Sequence, residues 1–111
     1  MGDEFVDAQS ADPNPAGADF QRYVTESAWG VWARQGPLSS RDRSLLVIAM
    51  TAALGRTDEL TVHVRESHRA GVTDAELDEV PFQVAAYAGA PAGRQAYLAV
   101  KALRAEESDP T

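Results

Sequence analysis

The sequence predicts an all-α protein, a small bundle of about five to six helices that assembles into an oligomer. Apolar residues recur three and four positions apart in several segments, and glycine ends most of these segments. No segment shows the strict alternation that is typical of a strand. The 111 residues, 44% of them hydrophobic and 24% charged, suit one globular domain with one core.

The chain divides into three parts. Residues 1–18 contain the turn formers Asp-Pro-Asn-Pro and are interpreted as an extended lead-in, residues 19–105 as the helical domain, and residues 106–111 as an acidic tail. The net charge of −7 is concentrated at the two ends, so it favours solubility and does not define a site. The chain has no basic stripe, no long apolar run and no signal-like start. Binding to nucleic acid or membranes is therefore not expected, and a cytoplasmic location is.

The first two helices are predicted from periodicity and from their ends. The first begins at Asp19 and ends before Gly36 and Pro37. The second begins after Ser39, which resembles a capping box with Asp42, and residues 44–54 are apolar on nearly every side. Such a helix must be covered by neighbours, another subunit among them.

Three further helices follow, with short connections. Thr57 or Asp58 is expected to cap the third helix and Gly71 to end it. Thr73 forms a better capping box at the start of the fourth, which runs to Gly89. Pro91 suits the first turn of the last helix.

Both histidines lie in the predicted third helix, but they differ in their surroundings. Glu59 and His63 are four residues apart, so they project within about 40° of each other, and Glu66 shares their face. Such a pair alone is most often a solvated couple. His63 and His68 diverge by about 140° and the chain has no HExxH motif, so no metal site is expected. His68 is interpreted as an exposed residue near the helix end.

Four motifs then occur in an order that resembles the carboxymuconolactone decarboxylase family. They are AWG at 28–30, RSLLVIAM at 43–50, ELxxH at 59–63 and QxxxYxGxP at 83–91. The resemblance covers roughly residues 4–105. It implies the alkylhydroperoxidase-like all-α fold and a ring-shaped homohexamer, built as a trimer of dimers.

The resemblance also implies a reaction. Members convert 4-carboxymuconolactone to 3-oxoadipate enol-lactone in protocatechuate catabolism, the β-ketoadipate pathway, without metal or cofactor. In this reading His63 delivers a proton to carbon, and Glu59 orients or tunes it, because an imidazole titrates near working pH. The substrate supplies its own electron sink, since the charge left by CO2 spreads onto the lactone carbonyl.

The remaining expected site residues would bind the carboxylated lactone. Arg43 would pair with a carboxylate through its planar fork. Gln83 and Tyr87 would donate hydrogen bonds to the oxygens of the substrate. Trp29 and Trp32 would form apolar walls of the site. Without the resemblance, the same residues are ordinary capping and core residues.

Some positions depart from the usual family pattern. Pro81 is expected to kink the fourth helix just before Gln83, and Gly93 and Arg94 follow the GAP motif where other residues are more usual. The chain also begins without a helical segment that many members carry, either naturally or because the start is trimmed. These departures leave open a related decarboxylase or isomerase-like enzyme acting on a different lactone or β-keto acid.

A non-catalytic oligomeric binder is a further alternative. The peroxidase chemistry of relatives with this fold is excluded, because the chain has no cysteine for a CxxC dithiol.

Overall fold

The computed structural model describes residues 16–34 and 36–108. Within these ranges the protein has five α-helices and no strand, which confirms the predicted fold class. They are α1 (Gly17–Ala33), α2 (Ser40–Ala53), α3 (Thr57–Glu66), α4 (Asp74–Ala88) and α5 (Ala90–Glu107). Most of the predicted lead-in and the end of the predicted tail lie outside the described residues.

Helix α1 belongs to a compact unit that ends at Pro37, and α2 to α5 belong to a second unit that begins at Leu38. Helix α1 begins at Gly17, two residues before the predicted start at Asp19. The Phe20 N–H donates to the Ala16 carbonyl at 3.0 Å, so backbone bonding begins ahead of the acidic residue. The helix therefore begins within the last two residues of the predicted lead-in.

Helices α2 to α5 pack around one apolar core. Helices α4 and α5 form an antiparallel hairpin, and α2 contacts α3, α4 and α5. The fully buried side chains include Ile48 on α2, Leu60 on α3, Leu77 on α4 and Ala96 on α5. Burying each large aliphatic side chain stabilises the fold by about 1.5–3 kcal/mol.

Two of the predicted helix starts are confirmed. The Asp42 N–H donates to Ser39 Oγ at 3.1 Å, although the Asp42 carboxylate bonds to Arg41 instead of completing a box. The box before α4 is complete, because Glu76 N–H donates to Thr73 Oγ1 and Thr73 N–H donates to Glu76 Oε1. Short sequence motifs are sufficient here because cap bonds are local.

Helix α3 differs from its prediction at both ends. Arg56 occupies the N-cap position with no side-chain cap bond, so the predicted cap by Thr57 or Asp58 is wrong. The helix ends at Glu66 and not at Gly71. The buried Ser67 hydroxyl donates to the Val64 carbonyl at 2.6 Å. Residues 67–71 then form hydrogen-bonded turns.

Helix α5 extends beyond the predicted domain end at residue 105. It ends at Glu107, and Arg65 Nη2 on α3 donates to Glu106 Oε1 at 2.5 Å. The first residues of the predicted acidic tail are therefore helical, held partly by this ion pair. No helix in the described residues is both long and apolar enough to cross a membrane.

Candidate active site

The Glu59–His63 pair lies on α3 beside the residues that anchor this helix to the core. Leu60 and Val64 are almost completely buried, so α3 presents one side to the core. His63 is next to Val64 and is half-buried, whereas Glu59 is exposed. The imidazole therefore lies where the core meets the surface, within reach of both apolar side chains and solvent.

Burial lowers the pKa of His63 below its ordinary value of 6.5, because the charged imidazolium loses hydration. The carboxylates of Glu59 and Glu66 oppose this shift, with Glu59 having the larger of the two effects. Opposite charge nearby stabilises the imidazolium. His63 is thus a group whose protonation depends on the balance between burial and two acids, as an acid-base residue requires.

Arg43 lies in the first turn of α2 and is half-buried. Its backbone N–H donates to the Ser39 carbonyl at 3.0 Å, which fixes the start of the helix.

Gln83 and Tyr87 lie on the exposed side of α4. Gln83 Nε2 donates to Glu79 Oε2 at 2.8 Å, and Tyr87 is 89% exposed. The interpretation of Gln83 and Tyr87 as ordinary core residues is therefore wrong for the single chain. Val84, which lies between them in the sequence, is buried, so the side of α4 that faces the core is the side opposite Gln83 and Tyr87.

A cavity of about 610 Å³ lies between α2 and α4, and Gln83 is at its edge. Among the predicted site residues that the structure describes, Gln83 alone lines it. Its other lining residues are mainly aliphatic, with acids at the margin: Leu38, Asp42, Leu45, Leu46, Ala49, Ala75, Glu76, Glu79 and Val80. Trp29 and Trp32 belong to the separate unit of α1. Within the described part of the second unit, Arg43, Glu59, His63 and Tyr87 do not line this cavity.

A larger cavity, of about 680 Å³, lies along the α4–α5 hairpin. All three residues that depart from the family pattern, Pro81, Gly93 and Arg94, line it. The sequence signalled these positions individually. It did not show that they share a surface, because that depends on how two helices pack.

His68 belongs to a cluster that sequence analysis missed. Its Nδ1–H donates to the Val72 carbonyl at 2.9 Å, and its Nε2 lies 3.2 Å from Asp74 Oδ1 and 3.5 Å from Glu107 Oε1. One ligand atom from each of the three side chains lies within 4.8 Å of the others, a spacing that could hold a metal ion. All three residues are exposed, and Arg104 Nη2 also approaches Asp74 at 3.5 Å. These polar contacts link the turn after α3 to the start of α4 and the end of α5.

Comparison with known proteins establishes the class to which this fold belongs. Residues 18–102 match the model of the carboxymuconolactone decarboxylase family. The chain belongs to the carboxymuconolactone decarboxylase family.

Two characterised relatives extend this comparison. The chain is 41% identical over 97 residues to 4-carboxymuconolactone decarboxylase of Acinetobacter baylyi, covering 86% of this chain and 72% of that protein. It is 33% identical over 99 residues to nitrosuccinic acid decarboxylase of Metarhizium robertsii, covering 88% and 68%. These matches confirm the family expected from the ordered motifs, and they agree with the decarboxylase activity expected with it.

Proposed function

We propose that this protein is a carboxy-lyase that converts 4-carboxymuconolactone to 3-oxoadipate enol-lactone. The observation that carries the proposal is the half-buried His63, positioned between two carboxylates on α3, in a chain that resembles a 4-carboxymuconolactone decarboxylase over most of its length. The substrate has its own electron sink, so the enzyme needs only to bind it, stabilise the developing charge and supply a proton.

In the first step, the bond between the ring carbon and its carboxylate breaks and CO2 leaves. The electron pair of that bond enters the conjugated lactone and gives a dienolate whose charge is largely on the lactone oxygen. A proton then adds at the ring carbon next to the lactone carbonyl, so the double bond comes to lie at the carbon that lost CO2 and the ring becomes an uncharged enol-lactone. No oxidant or reductant is consumed, and the proton gained replaces the CO2 lost.

His63 is the proposed source of this proton. Its lowered pKa leaves the free imidazole mostly neutral at neutral pH. A bound substrate with two carboxylates would raise that pKa, because an anion nearby stabilises the imidazolium. Substrate binding would thereby load His63 with the proton that it later transfers. Glu59 supports the charged form and orients the ring.

The other site roles are proposals of the same kind. Arg43 would hold a substrate carboxylate bidentately. Gln83 and Tyr87 would donate to lactone or carboxylate oxygens, and Trp29 and Trp32 would exclude water. A dry wall favours the loss of a carboxylate's charge as neutral CO2.

Assembly into a homo-oligomer, and specifically a hexamer built as a trimer of dimers, forms part of the proposal. Leu46, Met50 and Leu54 recur four residues apart along α2, and all three are exposed in the single chain, Leu54 by 70%. A continuous apolar stripe on a helix is commonly an interface. Burial of this stripe between copies, together with the exposed Tyr87, would remove apolar surface from water.

Sedimentation tests this assembly. We expect a mass several times 11.9 kDa, and a Leu46→Glu, Met50→Glu double variant should sediment as smaller species. A wild-type monomer at micromolar concentration would contradict the proposal. The proposed location is the cytoplasm.

A second candidate function follows from the relative named nitrosuccinic acid decarboxylase. A nitro group, like a lactone or ketone carbonyl, accepts the electron pair that departing CO2 leaves behind. The same proton donor could therefore serve a different activated carboxylic acid.

The direct experiment is a substrate panel with purified, chelator-treated protein. 4-Carboxymuconolactone, nitrosuccinate and a β-keto acid are supplied separately, and CO2 release and substrate loss are followed. We expect the lactone to be turned over fastest, without added metal or cofactor. Preference for nitrosuccinate would replace the first candidate with the second, and folded protein that binds the lactone without converting it would indicate a non-catalytic binder.

A further inference from the structure

The α4–α5 groove, the cavity of about 680 Å³ along this hairpin, is a preformed concave surface of a size common for small-molecule sites. Its walls include the aromatic rings of Phe82 and Tyr97 and the pyrrolidine of Pro81. Both aromatic side chains are more than half exposed. The groove therefore offers flat apolar surface that the described residues of the second unit leave exposed.

The floor of the groove is fixed by close contact between two small residues. A Cβ added at Gly93 would lie 2.5 Å from the Ala85 Cβ and 2.7 Å from the Ala85 Cα. Only glycine permits this approach, because such distances are far inside van der Waals contact. The shape of the groove is thus built into the packing of α4 against α5 rather than left to mobile side chains.

The rim of the groove is cationic. Arg94, Lys101 and Arg104 line it on α5, against one acid, Asp78, on α4. Arg94 and Lys101 are seven residues apart, so they lie on one face of α5. This local excess of positive charge occurs in a chain whose net charge is −7, so it is not a consequence of overall composition.

The three cations differ in their availability. Arg104 Nη2 donates to Asp78 Oδ1 at 2.9 Å and to the Asp74 carbonyl at 3.2 Å. Its buried Nε has no hydrogen-bond partner in the described part of the chain. Arg94 and Lys101 form no ion pair with any residue between 16 and 34 or between 36 and 108. Two cationic groups beside apolar walls thus remain available to a ligand.

We propose that the α4–α5 groove binds an organic dicarboxylate whose two carboxylates are joined by a flat apolar ring. One carboxylate pairs with the Arg94 guanidinium, whose fork suits bidentate binding, and the other pairs with the Lys101 ammonium. Seven residues of helix span about 10.5 Å, so the carboxylates must be separated by several carbons. Phe82 and Tyr97 contact the ring between them.

This site is separate from the Glu59–His63 pair, because neither residue lines the groove. It does not depend on the reaction proposed above. A second copy of the chain would fit the groove only if it placed acids opposite Arg94 and Lys101, since the two cations would otherwise be desolvated without a counter-charge.

Titration with terephthalate, a benzene ring with carboxylates at opposite ends, tests the proposal. Binding is followed calorimetrically in wild-type protein and in three variants, Arg94→Gln, Lys101→Gln and Arg69→Gln. Arg69 is the matched control, since it pairs with Glu66 at 3.3 Å and does not line the groove. We expect saturable wild-type binding, about tenfold weaker in Arg94→Gln and in Lys101→Gln, and unchanged in Arg69→Gln.

Two further controls are benzamide, an uncharged ring compound, and the variant His63→Ala. Benzamide should bind the wild type much more weakly than terephthalate does. His63→Ala should bind terephthalate with wild-type affinity. Four results would each overturn the proposal. They are no saturable wild-type binding, wild-type affinity in Arg94→Gln and in Lys101→Gln, loss of binding in His63→Ala, or a changed sedimentation coefficient for Arg94→Gln, which would make the groove an interface between copies.

Discussion

The α3 face that carries His63 and the α4–α5 groove differ in the charges that they present. On α3 a half-buried imidazole lies between two acids, and no large cavity adjoins it among the pockets described above. The groove is a large, mostly apolar cavity whose lining has an excess of positive charge and no histidine. The first arrangement suits moving a proton and the second suits holding an anion. The proposed decarboxylation and the proposed binding of a separate dicarboxylate therefore belong to two different surfaces of the subunit.

The strongest test of the groove concerns its floor. Gly93→Ala would place a Cβ within 2.8 Å of three Ala85 atoms, two of them backbone, so α4 and α5 must move apart. We expect a loss of about 2–4 kcal/mol in the free energy of unfolding, at or somewhat above the usual range for overpacking. Denaturant melts followed by circular dichroism measure it.

Gly30→Ala is the matched control, because an added Cβ there meets nothing within 4 Å in the structure. Replacing a helical glycine by alanine should stabilise α1 slightly, by up to about 1 kcal/mol. Equal stability of the wild type and Gly93→Ala would show that the close α4–α5 contact is not what shapes the groove.

Acid should weaken the second unit through Glu76. The Thr73 N–H bond to its carboxylate, aided by contact with Arg41, holds the pKa of Glu76 below its ordinary value of 4.5. A lowered pKa contributes stability that is present above 4.5 and is lost as the pH falls through the lower folded value. Glu76→Gln keeps the box geometry but removes the charge.

The stability gap between the wild type and Glu76→Gln should therefore be largest at neutral pH and should shrink below pH 4.5, as measured by urea melts at several pH values. Glu79→Gln, on the same helix, provides the comparison, since Glu79 bonds to the Gln83 amide. A gap that is constant with pH would mean that the charge of Glu76 contributes nothing.

The smallest expected effect concerns the tuning of His63. Because the Glu59 and Glu66 carboxylates both raise its pKa, Glu59→Gln and Glu66→Gln should each lower it, Glu59→Gln by more. With two histidines in the chain, NMR titration needs only His68→Ala to assign the signals. The reverse ranking, or no shift, would remove Glu59 from its proposed role.

Local features were predictable from the sequence, and features that depend on packing were not. The Thr73–Glu76 box and the shared face of Glu59 and His63 follow from spacing along one helix. The early end of α3 could not be foreseen, because it depends on the buried hydroxyl of Ser67. Gln83 and Tyr87 were expected inside an apolar helix, yet that helix has one covered side and one open side.

The groove and the His68 cluster show the same limit. Arg94 and Lys101 are visible as charges in the sequence, but their position beside Pro81 and Phe82 depends on the α4–α5 hairpin. His68 meets Asp74 and Glu107 only because the ends of two other helices converge on one turn. Sequence analysis found residues with suitable chemistry, and packing decided which of them became neighbours.

The central claim is that His63, and not the chain's other histidine, supplies the proton. Steady-state decarboxylation of 4-carboxymuconolactone by wild type, His63→Ala and His68→Ala tests it most directly, with circular dichroism confirming that each variant folds. We expect kcat to fall about 10²–10⁴-fold in His63→Ala, as removal of a general acid does, and to change little in His68→Ala. A folded His63→Ala variant with wild-type kcat would contradict the account.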